Sequence, residues 1–270
     1  MVSEFKLLDH LLQRLDEARH VMVLTGAGMS AESGIPTFRD AQSGIWAKYR
    51  PEELATPGAF EADPARVWQW YEERRKKVAK ASPHAGHAAL VELESLVPSL
   101  CVVTQNVDGL HQLAGSGDVL ELHGNIHRSK CHRTGRPISR EWLSESTRLP
   151  PPSPYVRDGL ARPDVVWFGE FLPQAAMDAA MAAATRCAIC LSVGTTSMVQ
   201  PAASLPLIAL EQGAALVEIN PLETPLSLHA EQCFRGKASE VLTSVIAQLK
   251  ARRQDIRREL ANPLLNDEDF

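Results

Sequence analysis

The sequence contains no apolar run that approaches the ~20 residues of a membrane-spanning helix. Its first residues, Met1–Lys6, include a glutamate and lack the apolar core of a secretory signal. The five cysteines are an odd number, which argues for reduced thiols rather than a disulfide framework. A formal net charge of −5 argues against a surface for nucleic acid. We therefore expect a cytoplasmic protein without membrane or nucleic-acid partners.

The order of apolar segments predicts an α/β fold. With 270 residues, 44% of them hydrophobic, the chain can bury a large core. Apolar runs such as Val21–Leu24 and Leu100–Val103 are typical of buried strands, and helical patterns separate them. We expect helices over residues 7–19, 61–81, 84–96 and 173–185. This alternation favours a Rossmann-type, doubly wound parallel sheet, interrupted at residues 41–83 and 124–164.

Cys187 and Cys190 have the CxxC spacing of a metal or redox motif. They lie in an apolar segment that we interpret as a strand, on which side chains three residues apart point to opposite faces. Two such thiols cannot share a metal ion. We therefore predict that both are core thiols.

The segment from His20 to Asp40 carries the most specific pattern in the chain. The strand Val21–Leu24 runs into Gly26-Ala27-Gly28, where the backbone can turn tightly and a phosphate can approach. The whole pattern, GAGMSAESGIPTFR, resembles that of the sirtuins, which are NAD-consuming protein lysine deacylases. Five further blocks follow in the sirtuin order: TQNVDGLH (104–111), ELHG (121–124), VVWFGE (165–170), VGTT (193–196) and VEIN (217–220).

The resemblance implies a division of the chain into two parts. Residues 1–40, 84–123 and 165–250 would form the Rossmann-type NAD-binding domain. Residues 41–83 and 124–164 would form a smaller inserted subdomain, with substrates bound in the cleft between the two. Residues 251–270 are expected to be a partly ordered tail, and the oligomeric state is left open.

The resemblance also implies NAD as co-substrate and assigns contacts to it. Asn106 and Asp108 would orient the ribose and the nicotinamide carboxamide, which presents both a donor and an acceptor. Gly26, Ala27 and Gly28 would offer backbone donors to the pyrophosphate. The other implied contacts are Ser30, Ala31, Glu32, Thr37, Phe38, Arg39, Gln105, Val107, Gly194, Thr195, Thr196, Asn220 and Ala238.

His123 matches the sirtuin general base, which acts on a ribose hydroxyl, and Asn106 is the second residue with an implied catalytic role. The nucleophile of that reaction is the acyl oxygen of the modified lysine, so no protein nucleophile is required. The implied partners are acylated-lysine proteins, and the implied products are nicotinamide and O-acyl-ADP-ribose. Four other histidines have no comparable catalytic claim: His84, His87, His111 and His229. We expect His111 to support local structure.

Substrate choice is predicted to depend on Tyr71 and Arg74, which lie three residues apart on one helical face. In one sirtuin branch a Tyr-x-x-Arg pair at this place binds the carboxylate of succinyl- or malonyl-lysine, and Ala31 also matches that branch. Arg75 would point about 100° away around the helix. Val166, Trp167, Phe168, Gly169 and Glu170 would pair their backbone with an extended substrate peptide.

The second insertion departs from the sirtuin pattern. Most sirtuins bind a structural zinc there through two cysteine pairs. Here Cys131 occupies the first position, but Thr134 stands at the second. Counting back from Arg162 places the other pair at Pro154 and Arg157, and neither is a zinc ligand. We predict no structural zinc; a partial site of His127, Cys131 and His132 is the alternative.

Two other functions remain open at this point. A protein ADP-ribosyltransferase would use the same NAD site, although the sirtuin branch associated with that activity replaces the histidine that is present here as His123. A non-catalytic NAD-binding module would be expected to lose Asn106, Asp108 or His123, and all three are present.

Overall fold

A computed structural model describes residues 5–36 and 51–261, which form two β-sheets with helices around them. Numbered along the chain, the strands are β1 (Val21–Thr25), β2 (Leu100–Thr104), β3 (Val119–Glu121), β4 (Gly124–Cys131), β5 (Pro137–Ile138), β6 (Ala161–Val165), β7 (Ile189–Val193), β8 (Ala215–Ile219) and β9 (Gln232–Phe234). The α-helices are α1 (Asp9–Glu17), α2 (Pro51–Leu54), α3 (Pro57–Ala62), α4 (Pro64–Val78), α5 (Ala85–Leu96), α6 (Leu110–Ala114), α7 (Arg140–Glu145), α8 (Gln174–Arg186), α9 (Leu205–Glu211) and α10 (Ala238–Ala261).

The larger sheet has six parallel strands in the order β3-β2-β1-β7-β8-β9, which confirms the doubly wound fold expected from the sequence. The chain proceeds outward from β1 through β2 to β3, and then returns to the other side of β1 with β7. The strand order therefore reverses between β1 and β7. In sheets of this kind the crevice at that reversal, beyond the carboxyl ends of the strands, is where ligands bind.

Helices cover both faces of the larger sheet, so every residue of β1 is buried. Val21 and Val23 face the cluster that α1, α5 and α10 complete, whereas Met22 and Leu24 face the helices α8 and α9. The apolar cluster between the sheet and the helices α8 and α9 is rich in alanine, and Ala180 is one of its fully buried residues. Small side chains let α8 pack closely against the sheet, which explains why an alanine-rich segment is a core helix here.

The smaller sheet is antiparallel, in the order β5-β4-β6, and packs against α3 and α4. Thr56 and Asp63 cap the amino ends of these two helices with side-chain hydrogen bonds to Ala59 N and Arg66 N. Trp70 lies on the buried face of α4 and is 1% exposed. These elements form a second apolar core beside the crevice.

Cys187 and Cys190 are both buried core thiols, as expected, but the geometric reason given for this was wrong. Cys187 ends α8 rather than lying on a strand, and only Cys190 belongs to β7. The two side chains therefore share one apolar cluster instead of pointing to opposite faces. Burial raises the pKa of Cys187 to about 11, so this thiol is a poor metal ligand and a poor nucleophile.

The carboxyl-terminal helix is longer than the sequence suggested. We assigned residues 251–270 to a partly ordered tail, but α10 continues to Ala261. Its ion pairs explain the extension, since the Nε atoms of Arg252 and Arg253 lie 3.4 and 2.6 Å from the carboxylate of Asp16 on α1. Within the described residues, no helix combines the length and apolar character that crossing a membrane requires.

Candidate active site

The loops that follow β1, β2, β7 and β8 meet at one edge of the parallel sheet. Backbone hydrogen bonds connect them. The amide of Gln105 donates to the carbonyl of Thr25 at 3.0 Å, and the amide of Gly26 donates to the carbonyl of Val193 at 3.0 Å. The resulting crevice brings together residues that are distant in the sequence.

Three glycines allow the loops after β1 and β7 to touch. A Cβ atom on Gly28 would lie 2.7 Å from Cα of Gly194, and one on Gly26 would lie 2.8 Å from Cα of Thr195. Gly194 also has a φ of +60°, a conformation that favours glycine. No larger residue at these positions would permit the same approach without a shift of backbone.

These contacts correct one expectation about the glycine-rich loop. The amides of Gly26 and Gly28 donate to the carbonyls of Val193 and Gly194, the second at 2.8 Å, so they are not available to a pyrophosphate. Ala27 is the one of the three whose amide has no acceptor in the described part of the chain. A 3₁₀ helix, Ala27–Ser33, begins there.

A polar cluster lies beneath the β1 loop. Asn106 donates from Nδ2 to the carbonyl of Gly26 at 2.9 Å and to Oγ of Ser30 at 3.0 Å. Ser30 in turn donates to Oδ2 of Asp108 at 2.7 Å, and Leu110 N–H donates to Oδ1 at 2.9 Å. Burial raises the pKa of Asp108, and these two donors oppose that effect. The two donor bonds of Nδ2 leave Oδ1 as the atom that Asn106 can offer to a ligand.

His123 follows β3 and has a defined tautomer. Its Nδ1 is 2.9 Å from the carbonyl oxygen of Gln105, which can only accept, so Nδ1 carries the proton and Nε2 is a free base. Burial lowers the pKa of His123, and the bond to Gln105 opposes that shift. The imidazole is therefore neutral at pH 7, as a general base must be before it acts.

The loops after β2, β7 and β8 are joined by side chains. Gln105 donates from Nε2 to Oγ1 of Thr195 at 2.9 Å, and Asn220 donates from Nδ2 to the carbonyl of Thr195 at 2.6 Å. Thr196 is half-buried directly after them. The structure thus brings these predicted contact residues to one crevice.

Other residues that were predicted to contact NAD lie at the margin of the crevice. Glu32 is exposed and accepts hydrogen bonds from N and Oγ of Ser239, at 3.1 and 2.5 Å, so its carboxylate holds the start of α10 instead of facing the crevice. The bonds from Ser239 outweigh the effect of burial and lower the pKa of Glu32. Ala31 is exposed beside it, and Ala238 is buried at the first position of α10.

Of the remaining residues predicted to contact NAD, Val107 is described by the structure. The carbonyl of Val107 accepts a hydrogen bond from the amide of Ile126 at 2.8 Å, which anchors the β2 loop to β4. Thr37, Phe38 and Arg39 lie outside the described residues.

Tyr71 and Arg74 lie together on α4, next to the segment after β6. Tyr71 is 5% exposed, and its hydroxyl oxygen accepts a hydrogen bond from Nε1 of Trp167 at 2.9 Å. Burial raises the pKa of Tyr71 to about 12, so the hydroxyl keeps its proton. The half-buried guanidinium of Arg74 lies over the Trp70 ring, 4.8 Å from its centroid, and burial lowers its pKa.

Arg75, the next residue, is a structural contact. Its Nε donates to the carbonyl of Ile126 at 2.7 Å, and the guanidinium also contacts the carboxylate of Glu72 and the ring of Trp68. Arg75 therefore ties α4 to β4. Removing it would disturb the smaller core.

The segment from Val166 to Glu170 is less available for backbone pairing than the sequence suggested. The amides of Val166 and Phe168 donate to the carbonyls of His123 and Ala55, each at 2.9 Å. The amide of Trp167 donates to Oε2 of Glu170 at 2.8 Å. Gly169 is the exposed glycine of this turn, with a φ of +87°.

Glu170 is held in place by a buried cation. The guanidinium of Arg162, 4% exposed, donates to both carboxylate oxygens of Glu170, at 2.5 and 2.9 Å. It also lies over the Trp167 ring, 3.2 Å from the centroid. The Glu170 carboxylate therefore shapes the turn, and the predicted backbone contact of Glu170 with substrate stays a prediction.

Sequence reasoning missed a group of interior histidines behind the crevice. Nε2 of His111 is 3.0 Å from Oγ1 of Thr25, which in turn is 2.8 Å from Oγ1 of Thr104. Nε2 of His84 donates to the carbonyl of Met29 at 2.7 Å, while Nδ1 of His84 accepts from Gly86 N–H. The group supports the β1 loop from below, as we expected for His111. The available signal was their positions directly after β2 and before α5.

The residues around the expected cysteine positions have different surroundings. Cys131 is fully buried, and the hydroxyls of Thr134 and Ser153 contact its sulfur. Pro154 and Arg157, the positions obtained by counting back from Arg162, are both exposed. A Cβ atom added to Gly159 would lie 2.6 Å from Cγ2 of Val156, 2.8 Å from Cβ of Ser153 and 3.2 Å from Sγ of Cys131. Ser153 and Val156 are therefore the residues of this turn that converge with Cys131.

The alternative ligand set is not assembled. Nε2 of His127 is 3.1 Å from the carbonyl oxygen of Asp108, and Nδ1 of His132 contacts the backbone of Leu160. Both imidazoles are thus engaged away from Cys131. In residues 5–36 and 51–261, no cluster of three or more His, Cys, Asp or Glu side chains could hold a metal ion.

Comparison with known proteins agrees with this geometry. A family model described as the Sir2 family matches residues 26–201. A protein of Pseudomonas aeruginosa named NAD-dependent protein deacylase 1 is 48% identical over 242 residues, 87% of this chain and 96% of that protein. An NAD-dependent protein deacylase of Thermus thermophilus is 50% identical over 237 residues, 86% of this chain and 91% of its own length.

Solved structures give the same result. The crystal structure of a Sir2 homologue in complex with NAD superposes with a TM-score of 0.84 at 44% identity, covering 93% of this chain and 97% of the other. A mutant Sir2 homologue in complex with 2′-O-acetyl ADP ribose has a TM-score of 0.82 at 45% identity, covering 91% and 98%.

The interior histidines predict that the folded chain loses stability in acid. His87 and His111 are 0% and 1% exposed, and burial lowers their pKa values to about 3 and about 4. Below pH 6.5 the unfolded chain binds protons that the folded chain does not. Each histidine should therefore reduce the free energy of unfolding by about 1.4 kcal/mol per pH unit between pH 6.5 and 4.

Urea denaturation between pH 7.5 and 4.5 measures this dependence. The variant His111→Gln should bind about one proton fewer on unfolding. The control His229→Gln changes an exposed side chain and should leave the slope unaltered. An unaltered slope in His111→Gln would contradict the assignment.

Proposed function

The chain belongs to the Sir2 family, and from that premise we propose that it is an NAD-dependent protein lysine deacylase acting on succinyl- or malonyl-lysine. The observation that carries the deacylase proposal is the neutral, Nδ1-protonated His123 at the crevice that also holds Asn106 and Asp108. The observation that carries the acyl preference is the buried Tyr71 beside Arg74.

The crevice suits NAD as co-substrate. Gly26 and Gly28 let the β1 loop pack directly on the β7 loop, and the Ala27 amide, which has no acceptor among the described residues, can donate to a phosphate oxygen. Oδ1 of Asn106 can accept from the carboxamide, and Gln105 and Asn220 present amides near Thr195 for ribose hydroxyls. When bound, NAD supplies the ADP-ribosyl group to which the acyl oxygen is transferred.

The protein's own contribution to the reaction is orientation and proton transfer. Nε2 of His123 accepts the proton of a ribose hydroxyl, while the Gln105 carbonyl holds the ring in place and stabilises the imidazolium that forms. Asn106 cannot rotate freely, because its Nδ2 is bound to Gly26 and Ser30. A fixed amide of this kind presents one oxygen in one direction, which favours a single pose of the carboxamide.

Tyr71 and Arg74 can recognise a carboxylate. Because the Tyr71 oxygen already accepts from Trp167, its own hydroxyl proton is the group that remains to be donated. The Arg74 guanidinium supplies a charged donor on the same face of α4. An acetyl group has no negative charge to match this pair, whereas succinyl and malonyl groups do.

The two alternative functions are less well supported. The sirtuin branch associated with ADP-ribosyl transfer replaces the histidine, whereas this chain keeps it as His123 with an unprotonated Nε2. A module that only binds NAD would gain nothing from holding Nε2 of His123 unprotonated. Both alternatives would be identified by the products of the assays described below.

We also propose that the smaller subdomain folds without zinc. Of the four side chains that meet at the zinc position of the family, Cys131 alone is a zinc ligand; Thr134 and Ser153 offer neutral hydroxyls and Val156 offers none. These residues do not fit the metal, and no step of the reaction depends on it here.

Removal of the base tests the proposed activity. His123→Ala should lower the rate of deacylation by about 10²–10⁴-fold and leave NAD affinity nearly unchanged, because the imidazole acts on a hydroxyl and not on the phosphates. Single-turnover mass spectrometry with a succinyl-lysine peptide and titration calorimetry with NAD measure the two effects. Turnover close to that of the unaltered protein would remove His123 from the reaction.

The pH profile provides an independent readout. Since burial lowers the pKa of His123 below its ordinary 6.5, the midpoint of the acid-side fall in kcat/KM should lie below pH 6.5. A midpoint above that value would show that another group limits the rate.

Removal of the guanidinium tests the acyl preference. Arg74→Met should reduce kcat/KM for succinyl-lysine by roughly ten- to hundredfold, since a charge-assisted hydrogen bond contributes about 1.5–3 kcal/mol. Activity on acetyl-lysine should be unchanged or higher. The matched control is Lys76→Met, an exposed residue of the same helix; Arg75 is unsuitable because it ties α4 to β4. Equal losses on both substrates in Arg74→Met would indicate a general deacylase.

Metal content tests the zinc-free subdomain. Purified protein should contain much less than one zinc per chain, and a chelator should leave the melting temperature unaltered. Elemental analysis and thermal scans with and without the chelator measure both. One tightly bound zinc per chain would contradict the proposal.

A further inference from the structure

Two tight turns face each other in the smaller subdomain, one after β4 and one before β6. The first contains Cys131 and Thr134, and the second contains Ser153 and Val156. Both pairs have two residues between their members, the spacing with which zinc-binding turns present their ligands. We call these four residues the knot.

The first turn is built around the sulfur of Cys131. The amides of Arg133 and Thr134 and the hydroxyl of Thr134 donate to Sγ, and Gly135 closes the turn with a φ of +69° and a 2.9 Å bond from its amide to the Cys131 carbonyl. Burial raises the pKa of Cys131, but these donors and Ser153 outweigh it and lower the pKa overall. The sulfur thus has the surroundings of a metal-bound thiolate, with hydrogen bonds in place of the metal.

The second turn is closed by Ser153 and Gly159. The amide of Ser153 donates to the carbonyl of Gly159 at 2.8 Å, and the amide of Tyr155 donates to Oγ of Ser153 at 3.2 Å. Gly159 is buried against Val156, Ser153 and Cys131 together, so these three side chains converge on one point. Val156 adds its methyl groups to the apolar cluster of Cys131, Trp68, Ile138 and Ala161.

We propose that the knot is a metal-free replacement of a four-ligand zinc site, and that it keeps the backbone of that site closely enough for three cysteines to restore zinc binding. This inference rests on the proposed absence of zinc in the natural protein. Hydrogen bonds to Cys131 and the packing of Val156 hold the two turns together where a metal would otherwise do so. The ligand positions are 131, 134, 153 and 156.

The test is the variant Thr134→Cys/Ser153→Cys/Val156→Cys in the full chain. Grown and purified with zinc, it should contain one zinc per chain, and with Co²⁺ it should give the visible absorption of a tetrahedral thiolate site. Its melting temperature should fall on addition of a chelator, because the added thiols no longer supply the natural contacts. The natural protein, measured beside it, should show none of the three effects.

The matched control is Thr134→Cys/Pro154→Cys/Arg157→Cys. It contains the same number of cysteines, two of them at the positions obtained by counting from Arg162, but Pro154 and Arg157 are exposed. It should not bind stoichiometric zinc or give the tetrahedral absorption. Equal binding by both variants, or binding by the control alone, would overturn the proposal.

A second measurement decides the matter if the first variant does not fold. Gly159→Ala in the natural protein should lower the melting temperature by several degrees, since the added methyl would press on Val156, Ser153 and Cys131. The control is Gly58→Ala, where a Cβ meets nothing within 4 Å. Equal melting temperatures for these two variants would show that the knot does not hold the turns. Zinc in the natural protein would instead contradict only the proposed zinc-free subdomain.

Discussion

The site depends on how closely the loop after β1 approaches the loop after β7. Gly28 and Gly194 are in backbone contact, at a distance that a single added methyl would not allow. That contact brings the carbonyl of Gly26 over Asn106 and brings Thr195 next to Gln105. The glycines therefore act mainly through the space that they leave, and less through their amides, since those of Gly26 and Gly28 are used inside the fold. A ligand bound here would meet an edge whose polar groups are already oriented.

This orientation explains how polar side chains can be buried at a binding site without cost to the fold. Asn106, Ser30 and Asp108 satisfy one another, and Asn106 keeps Oδ1 as an acceptor for a ligand. The proton of His123 is placed on Nδ1 by the Gln105 carbonyl, so burial and hydrogen bonding together select a neutral imidazole with a free Nε2. The same principle operates at Tyr71, where the bond from Trp167 determines which proton remains to be donated.

Much of this could be predicted from the sequence, and the failures have physical causes. The parallel sheet follows from the alternation of apolar strands and helices, and the resemblance to the sirtuins implied that the blocks after β1, β2, β7 and β8 share one site. Hydrogen bonds within the protein that occupy the groups assigned to ligands were not predictable, because sequence patterns do not show which acceptor a given donor binds. Glu32 was assigned to the cofactor but binds Ser239, and Val166 and Phe168 have their amides engaged by His123 and Ala55.

If the smaller subdomain folds without zinc, as proposed, other contacts must hold its strands. Contacts outside the knot hold this subdomain together and join it to the segment after β6. Arg75 on α4 binds the Ile126 carbonyl of β4, and Arg162 on β6 binds Glu170 beneath Trp167. These contacts already fix the strands from which the two turns project. The turns have only to stay closed, and Cys131 can contribute to this because the hydroxyls near its sulfur, those of Thr134 and Ser153, come from both turns.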